Sequence, residues 1–217
     1  MNNLVKDTFS SKKHSENYDQ KTRNANWLAP EIAFGMAFSS VEKGDSLLDL
    51  GIGTGLSSAL FHRAGLSVYG MDFSEEMLKL CRQKGTARKV ITHDLMEEPY
   101  PFPTDSMDHG ICLGVSHILP DLSLIMGEMF RILRPGGLFV FSVIHRERDE
   151  EKTVPLSSKE LPGKSFTFYR YSREEIEEDL KKSGFTLVSR LNFLSLLAGK
   201  ERLFTIYMIR RGWEDYS

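Results

Sequence analysis

Between Leu47 and Gly55 the chain reads Leu-Leu-Asp49-Leu-Gly51-Ile-Gly53-Thr-Gly55. A short apolar run passes directly into three alternate glycines. Apolar residues at helical spacing (Leu56, Ala59, Leu60, Ala64) follow, with Gly65 as a stop signal. Few architectures accept that order. A buried strand must turn sharply towards a helix, through backbone that can approach a ligand closely because three residues carry no side chain. Open α/β sheets bind their ligands at such strand ends.

The rest of the chain repeats the alternation. Ser46–Leu50, Leu66–Met71, Lys89–Thr92, Asp108–Leu113 and Leu138–Ile144 read as strands. Glu75–Lys84 reads as a helix with Met77, Leu78 and Cys81 inward. Leu122, Ile125, Met126, Met129, Phe130 and Leu133 form one broad apolar stripe, closed by Pro135-Gly136-Gly137. Ser172-x-x-Glu175 is a capping box that opens a helix to Ser183, stopped by Gly184. Phe185–Phe193 and Leu203–Arg210 are two more strands. About nine residues separate them, too few for a crossover helix, so they pair as a hairpin. The pattern predicts an α/β fold: a Rossmann-like three-layer sandwich, with a mostly parallel seven-stranded sheet and a C-terminal antiparallel hairpin.

Two segments stand apart. Residues 1–26 are polar and read as a loose arm or short helices. Apolar residues begin at Trp27, and 30–39 can form a helix with Ile32, Phe34 and Phe38 partly buried. Residues 146–171 interrupt the alternation with a charged stretch and then Phe166-Thr-Phe168-Tyr169-Arg-Tyr171. Such an insertion is either a lid over a ligand or a solvated excursion with a small β-ribbon. A length of 217 residues suits one domain, with residues 1–40 as the arm, 45–145 as the core and 172–210 as the closing helix and hairpin.

Composition excludes some partners. A formal net charge of −2 provides no general field for nucleic acid or anionic lipid. Cys81 and Cys112 sit in apolar stretches, form no C-x-x-C pair and suggest no metal site. Met1–Ser15 has no apolar signal core, and Leu138–Ile144 is too short to cross a bilayer. The expectation is a cytoplasmic protein without membrane or metal.

Three acids mark the strand ends. The glycine spacing is G-x-G-x-G, so the dinucleotide fingerprint G-x-G-x-x-G is not met. Asp49, two residues before Gly51, would repel a pyrophosphate but favour a ligand ammonium; it can also serve the loop amides. Asp72 ends the second strand, 21 residues beyond Gly51. There a carboxylate can accept two hydrogen bonds from ribose hydroxyls, or cap the next helix, although Ser74 is better placed to do so. Asp94 follows the third strand and can accept from an exocyclic amine while Leu95 covers a ring, or remain a polar loop residue.

In this order, Asp49-x-Gly51-x-Gly53-x-Gly55, Asp72, Asp94, Asp108–Leu113 and Leu133-Arg-Pro135-Gly136-Gly137 resemble the class I S-adenosylmethionine-dependent methyltransferases. Gly114–Asp121 is similar to the same region of the small-molecule branch that includes quinone- and biotin-pathway enzymes. The resemblance spans roughly residues 45–145. It implies S-adenosyl-L-methionine as cofactor and transfer of its methyl group, by in-line displacement, to a small-molecule acceptor. It places Gly51 and Gly53 at the methionine part, with Gly55 in the same loop. Asp72 falls at the ribose, Asp94 and Leu95 at the adenine, and Phe73 and Met77 beside the ring. Leu113, at the end of strand four, belongs to the same site. Tyr18 resembles an N-terminal tyrosine that closes over the cofactor, or is a surface tyrosine of a polar arm. His117 and His145 are the candidates for a base near the methyl, should the nucleophile carry a proton. Leu113-Gly-Val-Ser116 stands where adenine-methylating enzymes carry Asn/Asp-Pro-Pro-aromatic, which argues against that activity. A cofactor-binding module without catalysis shares the same binding residues, and a nicotinamide oxidoreductase lacks its third fingerprint glycine here.

Overall fold

The computed structural model describes Lys6 and residues 12–157 and 165–212. The start of the expected arm, the stretch 158–164 and the side chain of Phe166 lie outside the described residues. Five parallel strands form the sheet's first part: β1 (Ser46–Leu50), β2 (Ser67–Asp72), β3 (Lys89–Thr92), β4 (Met107–Cys112) and β5 (Leu133–Ile144). A ribbon, β6 (Thr153–Ser157) with β7 (Ser165–Tyr169), stands outside the main sheet. The hairpin β8 (Phe185–Leu197) and β9 (Lys200–Arg211) completes an order of β3-β2-β1-β4-β5-β9-β8. The strand β9 runs antiparallel to both its neighbours. This is the predicted seven-stranded sheet.

Helices cover both faces, and β1 shows why its sequence is continuously apolar. Leu48 and Leu50 join the core beneath α5 (Ser123–Ile132) and α6 (Arg173–Ser183), with Ile125, Met129, Ile176 and Leu180. Leu47 joins the opposite core beneath α2 (Ala29–Ala37), α3 (Ala59–Arg63) and α4 (Glu75–Lys84), with Ala33, Phe61 and Leu78. A strand buried on both faces has no polar side to alternate with. Ahead of these, Lys12–Asn24 forms α1.

Capping was legible. Ser74 accepts from Met77 N at the start of α4, and the Ser172–Glu175 box closes reciprocally at the start of α6. Four boundaries differ from expectation. The helix after the glycine loop begins only at Ala59, because residues 51–58 are taken up in turns; Phe61 is its deep residue, while Ala59 and Leu60 are half-buried. In α2 Ile32 and Phe34 are partly buried as expected, but the deepest face is Ala29, Ala33 and Ala37, and Phe38 lies exposed in a 3-10 turn. Small residues at i, i+4 and i+8 let that helix sit close on the sheet. Pro135-Gly136-Gly137 lies inside β5 rather than before it: Met107 pairs with Leu133 and His109 with Leu138, across an irregularity. Finally, the hairpin turn is Ala198-Gly199, both at positive φ (53° and 78°), which matches strand twist and lets the strands run longer than expected.

The insertion returns to the sheet through Tyr171. Its N–H donates to the Ile144 carbonyl at 3.0 Å, and its hydroxyl donates to the Leu119 carbonyl at 2.5 Å. Phe168 and Tyr171 are both buried, in opposite cores. The β-ribbon reading of this segment describes its visible part. Tyr171→Phe leaves the buried Leu119 carbonyl without this donor and should cost about 1–3 kcal/mol in urea denaturation. An unchanged midpoint and slope would show that the hydroxyl does not anchor the ribbon.

Candidate cofactor site

The loop after β1 is tied to the end of β2. Gly51 N and Ile52 N both donate to the Met71 carbonyl, at 2.8 and 3.1 Å. Gly53 N donates to Asp72 Oδ2 at 3.0 Å, and Ser74 N to Asp72 Oδ1 at 2.8 Å. The three loop glycines differ in what they face. A Cβ on Gly51 would stand 2.5 Å from Val115 Cγ2, and one on Gly55 would press on Thr86 and Cys81. A Cβ on Gly53 would meet nothing nearer than Met77 Cε, the Gly51 carbonyl oxygen and Asp72 Oδ2, at 3.8, 3.9 and 4.0 Å. Gly53, at φ 53°, is therefore the glycine that opens onto free space. Gly55 serves packing and does not line the cleft.

That space is a cleft of about 530 Å³, including its open mouth. Gly51, Gly53 and Asp72 form its floor, and Phe73, Met77 and Leu95 one flank. Leu113 stands across from them at the end of β4, and Tyr18 closes one side from α1. Eight residues singled out from sequence thus meet in one place. Gly114, Val115 and Ile118 complete the lining and were not anticipated, although they continue the chain from Leu113.

Two carboxylates here resist ionisation. Burial pushes Asp72 up to about 6, against the pull of the Ser74 and Gly53 amides. Asp49 is 1% exposed, and neither of its carboxylate oxygens has a hydrogen-bond partner. Burial pushes it up to about 8; the nearby Ser58 hydroxyl opposes the shift without reaching hydrogen-bond geometry, and Asp72 adds to it. A buried acid left unpartnered beside a glycine cradle suits a ligand that brings its own cation and donors. The Tyr18 hydroxyl is likewise pushed up to about 12, first by burial and then by Asp72.

The other predicted residues lie outside the cleft lining. Asp94 Oδ1 accepts from Met96 N at 2.9 Å, and Oδ2 pairs with Lys6 Nζ at 2.6 Å. Burial works to raise its pKa, but Lys6 and the Met96 amide outweigh it and hold the carboxyl below its ordinary value. His117 is buried edge-on against Phe168 at 4.5 Å, and burial lowers it to about 4. His145 Nδ1 lies 3.2 Å from Thr205 Oγ1 and its Nε2 lies 3.4 Å from Glu147 Oε1. Among the described residues, no helix is long and apolar enough to cross a membrane.

A methyltransferase-domain family model matches residues 48–141. The ubiquinone/menaquinone biosynthesis C-methyltransferase of Methylococcus capsulatus is 30% identical over 242 aligned positions, covering 98% of this chain and 92% of that protein. The chain belongs to the class I S-adenosylmethionine-dependent methyltransferases. Malonyl-[acyl-carrier protein] O-methyltransferase of Serratia marcescens is 33% identical over 109 residues, which are 50% of this chain and 42% of that protein. The match thus spans less than half the length of that relative. The magnesium protoporphyrin IX methyltransferase of Synechocystis, solved with bound SAH (S-adenosylhomocysteine), shares the fold: its TM-score is 0.72 at 16% identity, over 97% of this chain and 99% of that one. S-adenosylmethionine is the cofactor of this family, and the orphaned Asp49 carboxylate and the open face of Gly53 fit its ammonium-bearing methionine part.

The raised acids make stability depend on pH. Asp49 and Asp72 keep their protons in the fold up to about 8 and 6, while an unfolded Asp titrates near ~3.9. The folded state binds more protons in that window. Their contribution is complete below about pH 4 and is lost as pH rises through the folded values. Asp49→Asn removes the larger share. Without cofactor, it should gain on the native chain by on the order of 1–3 kcal/mol between pH 5 and pH 8 in urea titrations. A constant difference across that range would refute the assignment.

Proposed function

We propose that this chain transfers the methyl group of S-adenosylmethionine to a small-molecule acceptor. The observation that carries the reading is the buried, unpartnered Asp49 carboxylate beneath a loop whose Gly53 opens directly beside Asp72. When bound, S-adenosylmethionine supplies an electrophilic methyl on a sulfonium. In this reading Asp49 takes the ammonium and Asp72 the ribose hydroxyls. Asp72 already accepts one amide on each oxygen, and each oxygen keeps a second lone pair for a ribose hydroxyl. Phe73 and Met77 flank the adenine and Leu95 covers it. Asp94 would receive the exocyclic amine, at the cost of loosening its pair with Lys6.

Alignment of the acceptor supplies most of what the protein must add. His117, lowered to about 4, stays neutral at physiological pH and is a weak base; it suits a wall of the acceptor space, packed on Phe168. Where the acceptor carries a proton, we assign its removal to His145, whose ring is oriented by Thr205 and Glu147. The small-molecule acceptor accords with the names of the relatives. We further propose that residues 1–217 act as one domain. A cytoplasmic setting accords with the two buried free thiols, Cys81 and Cys112.

The decisive experiment presents the protein and S-adenosylmethionine labelled in its methyl group to a metabolite pool and follows label into product. S-adenosylhomocysteine should accumulate only with an acceptor present; binding without turnover in any pool would leave a cofactor-binding module. Two variants test the site. Asp72→Ala should weaken S-adenosylhomocysteine binding by about 1.5–3 kcal/mol in titration calorimetry. Gly53→Val should abolish measurable binding while the circular dichroism spectrum stays folded. An unchanged dissociation constant in either would move the cofactor elsewhere.

A further inference from the structure

The helix α1 has a composition that does not explain why it docks. Its sequence, Lys12 to Asn24, contains no aliphatic residue and a single aromatic, Tyr18. A thirteen-residue helix of this kind is marginal alone and lacks an apolar face with which to pack. Polar contacts therefore carry much of its docking, and two of those among the described residues join it to distant elements. One is at its trailing end, where the Ala25 carbonyl accepts from Leu196 N and Ser195 Oγ, both at 3.0 Å. The other is Asp19. Thr54 Oγ1 donates to Asp19 Oδ1 at 2.5 Å, and Lys84, the last residue of α4, donates to Asp19 Oδ2.

Thr54 is the residue between Gly53 and Gly55, and it is 1% exposed. Its neighbour Gly53 donates to Asp72. A continuous path therefore runs from Asp19 through Thr54 and Gly53 to Asp72. One residue before Asp19, Tyr18 closes the side of the cleft. Burial works to raise the Asp19 carboxyl, and Lys84 and Thr54 outweigh it and keep it ionised.

Building on the cofactor reading above, we infer that Asp19 is a positioning residue for the cofactor: it clamps α1 to the glycine loop through Thr54, so that Tyr18 forms a wall of the site. It touches no ligand itself and acts through Tyr18 and the loop. Losing it frees α1 from the loop, and the cofactor then meets a cleft with one side open.

Calorimetry with S-adenosylhomocysteine on the full chain tests this with Asp19→Ala, Tyr18→Ala and the double variant. Asp19→Ala should weaken binding about tenfold. Tyr18→Ala should do so comparably, and the double variant should fall within about twofold of the weaker single, because both changes remove one wall. Additive losses, or unchanged affinity in Asp19→Ala, overturn the inference while leaving the cofactor reading intact. Asp19→Asn keeps an acceptor for Thr54 and should recover most of the affinity; failure to recover would show that charge towards Lys84, and not the hold on Thr54, matters. Should Asp19→Ala fail to fold, Thr54→Val removes the same bond with little change in volume, and an unaltered dissociation constant there overturns the inference equally. If the native chain binds no S-adenosylhomocysteine, the cofactor reading itself falls and the inference with it.

Discussion

The hydrogen bond from Gly53 N–H to Asp72 Oδ2 joins two strand ends that would otherwise be independent. With the Gly51 and Ile52 amides on the Met71 carbonyl, it fixes the loop after β1 against the end of β2. The sheet order then does the rest. The strand β1 has β2 on one side and β4 on the other, so the chain leaves it in two directions and a crevice opens between them. Leu113 and Val115, carried by the end of β4, stand opposite Asp72 and Phe73. Val115 presses on the face of Gly51 where a Cβ would be, so the floor and the far wall of the cleft are set by one contact.

Asp49 bears the cost of this arrangement. It sits in the central strand, paired in register with Gly70 and Ile111, where an apolar residue would pack without penalty. An unpartnered ionised carboxylate in such a place costs several kcal/mol, so it holds its proton instead. A cation arriving from solvent changes that balance, since attraction at short range in a poorly screened interior exceeds what the same pair gains at the surface. The proposed preference of the site for a positively charged group and the expected loss of stability as pH rises have one cause.

The architecture was legible because its signals are local. Glycines at 51, 53 and 55, acids at the strand ends, and the Ser172–Glu175 box each declare themselves within a few residues. Seven of the eight predicted residues that line the cleft do so for the same reason: they lie at strand ends or about one helical turn beyond, and Tyr18, on α1, is the exception. What sequence could not give depends on partners far along the chain. Asp94 reads as a free acceptor until Lys6, 88 residues earlier, is found on it. Gly55 looks like a ligand glycine until Thr86 and Cys81 appear where its side chain would be. His117 has the chemistry of a base and the surroundings of a core residue. The aromatics of the insertion promised a cover, yet Phe168 and Tyr171 are packed into the two cores. Trp27 is similarly committed, edge-on to Phe193 and Phe204 at 5.4 and 4.9 Å.

The two segments expected to enclose the site therefore differ in kind. The ribbon β6–β7 is rooted through Phe168 and Tyr171, whose release would expose apolar surface from both faces of the sheet. The helix α1 is held in part by a carboxylate, a carbonyl and their donors, and Tyr18 is the one large aromatic side chain in its sequence. Water can replace polar contacts of that sort at small net cost, whereas it cannot replace buried aromatic packing. Local opening follows the cheaper route. Lys6, which pairs with Asp94, also precedes α1 in the chain, so the group that would yield to an adenine in the proposed reading lies at the same N-terminal side. Entry past α1, with the ribbon left in place, is the path that these contacts favour.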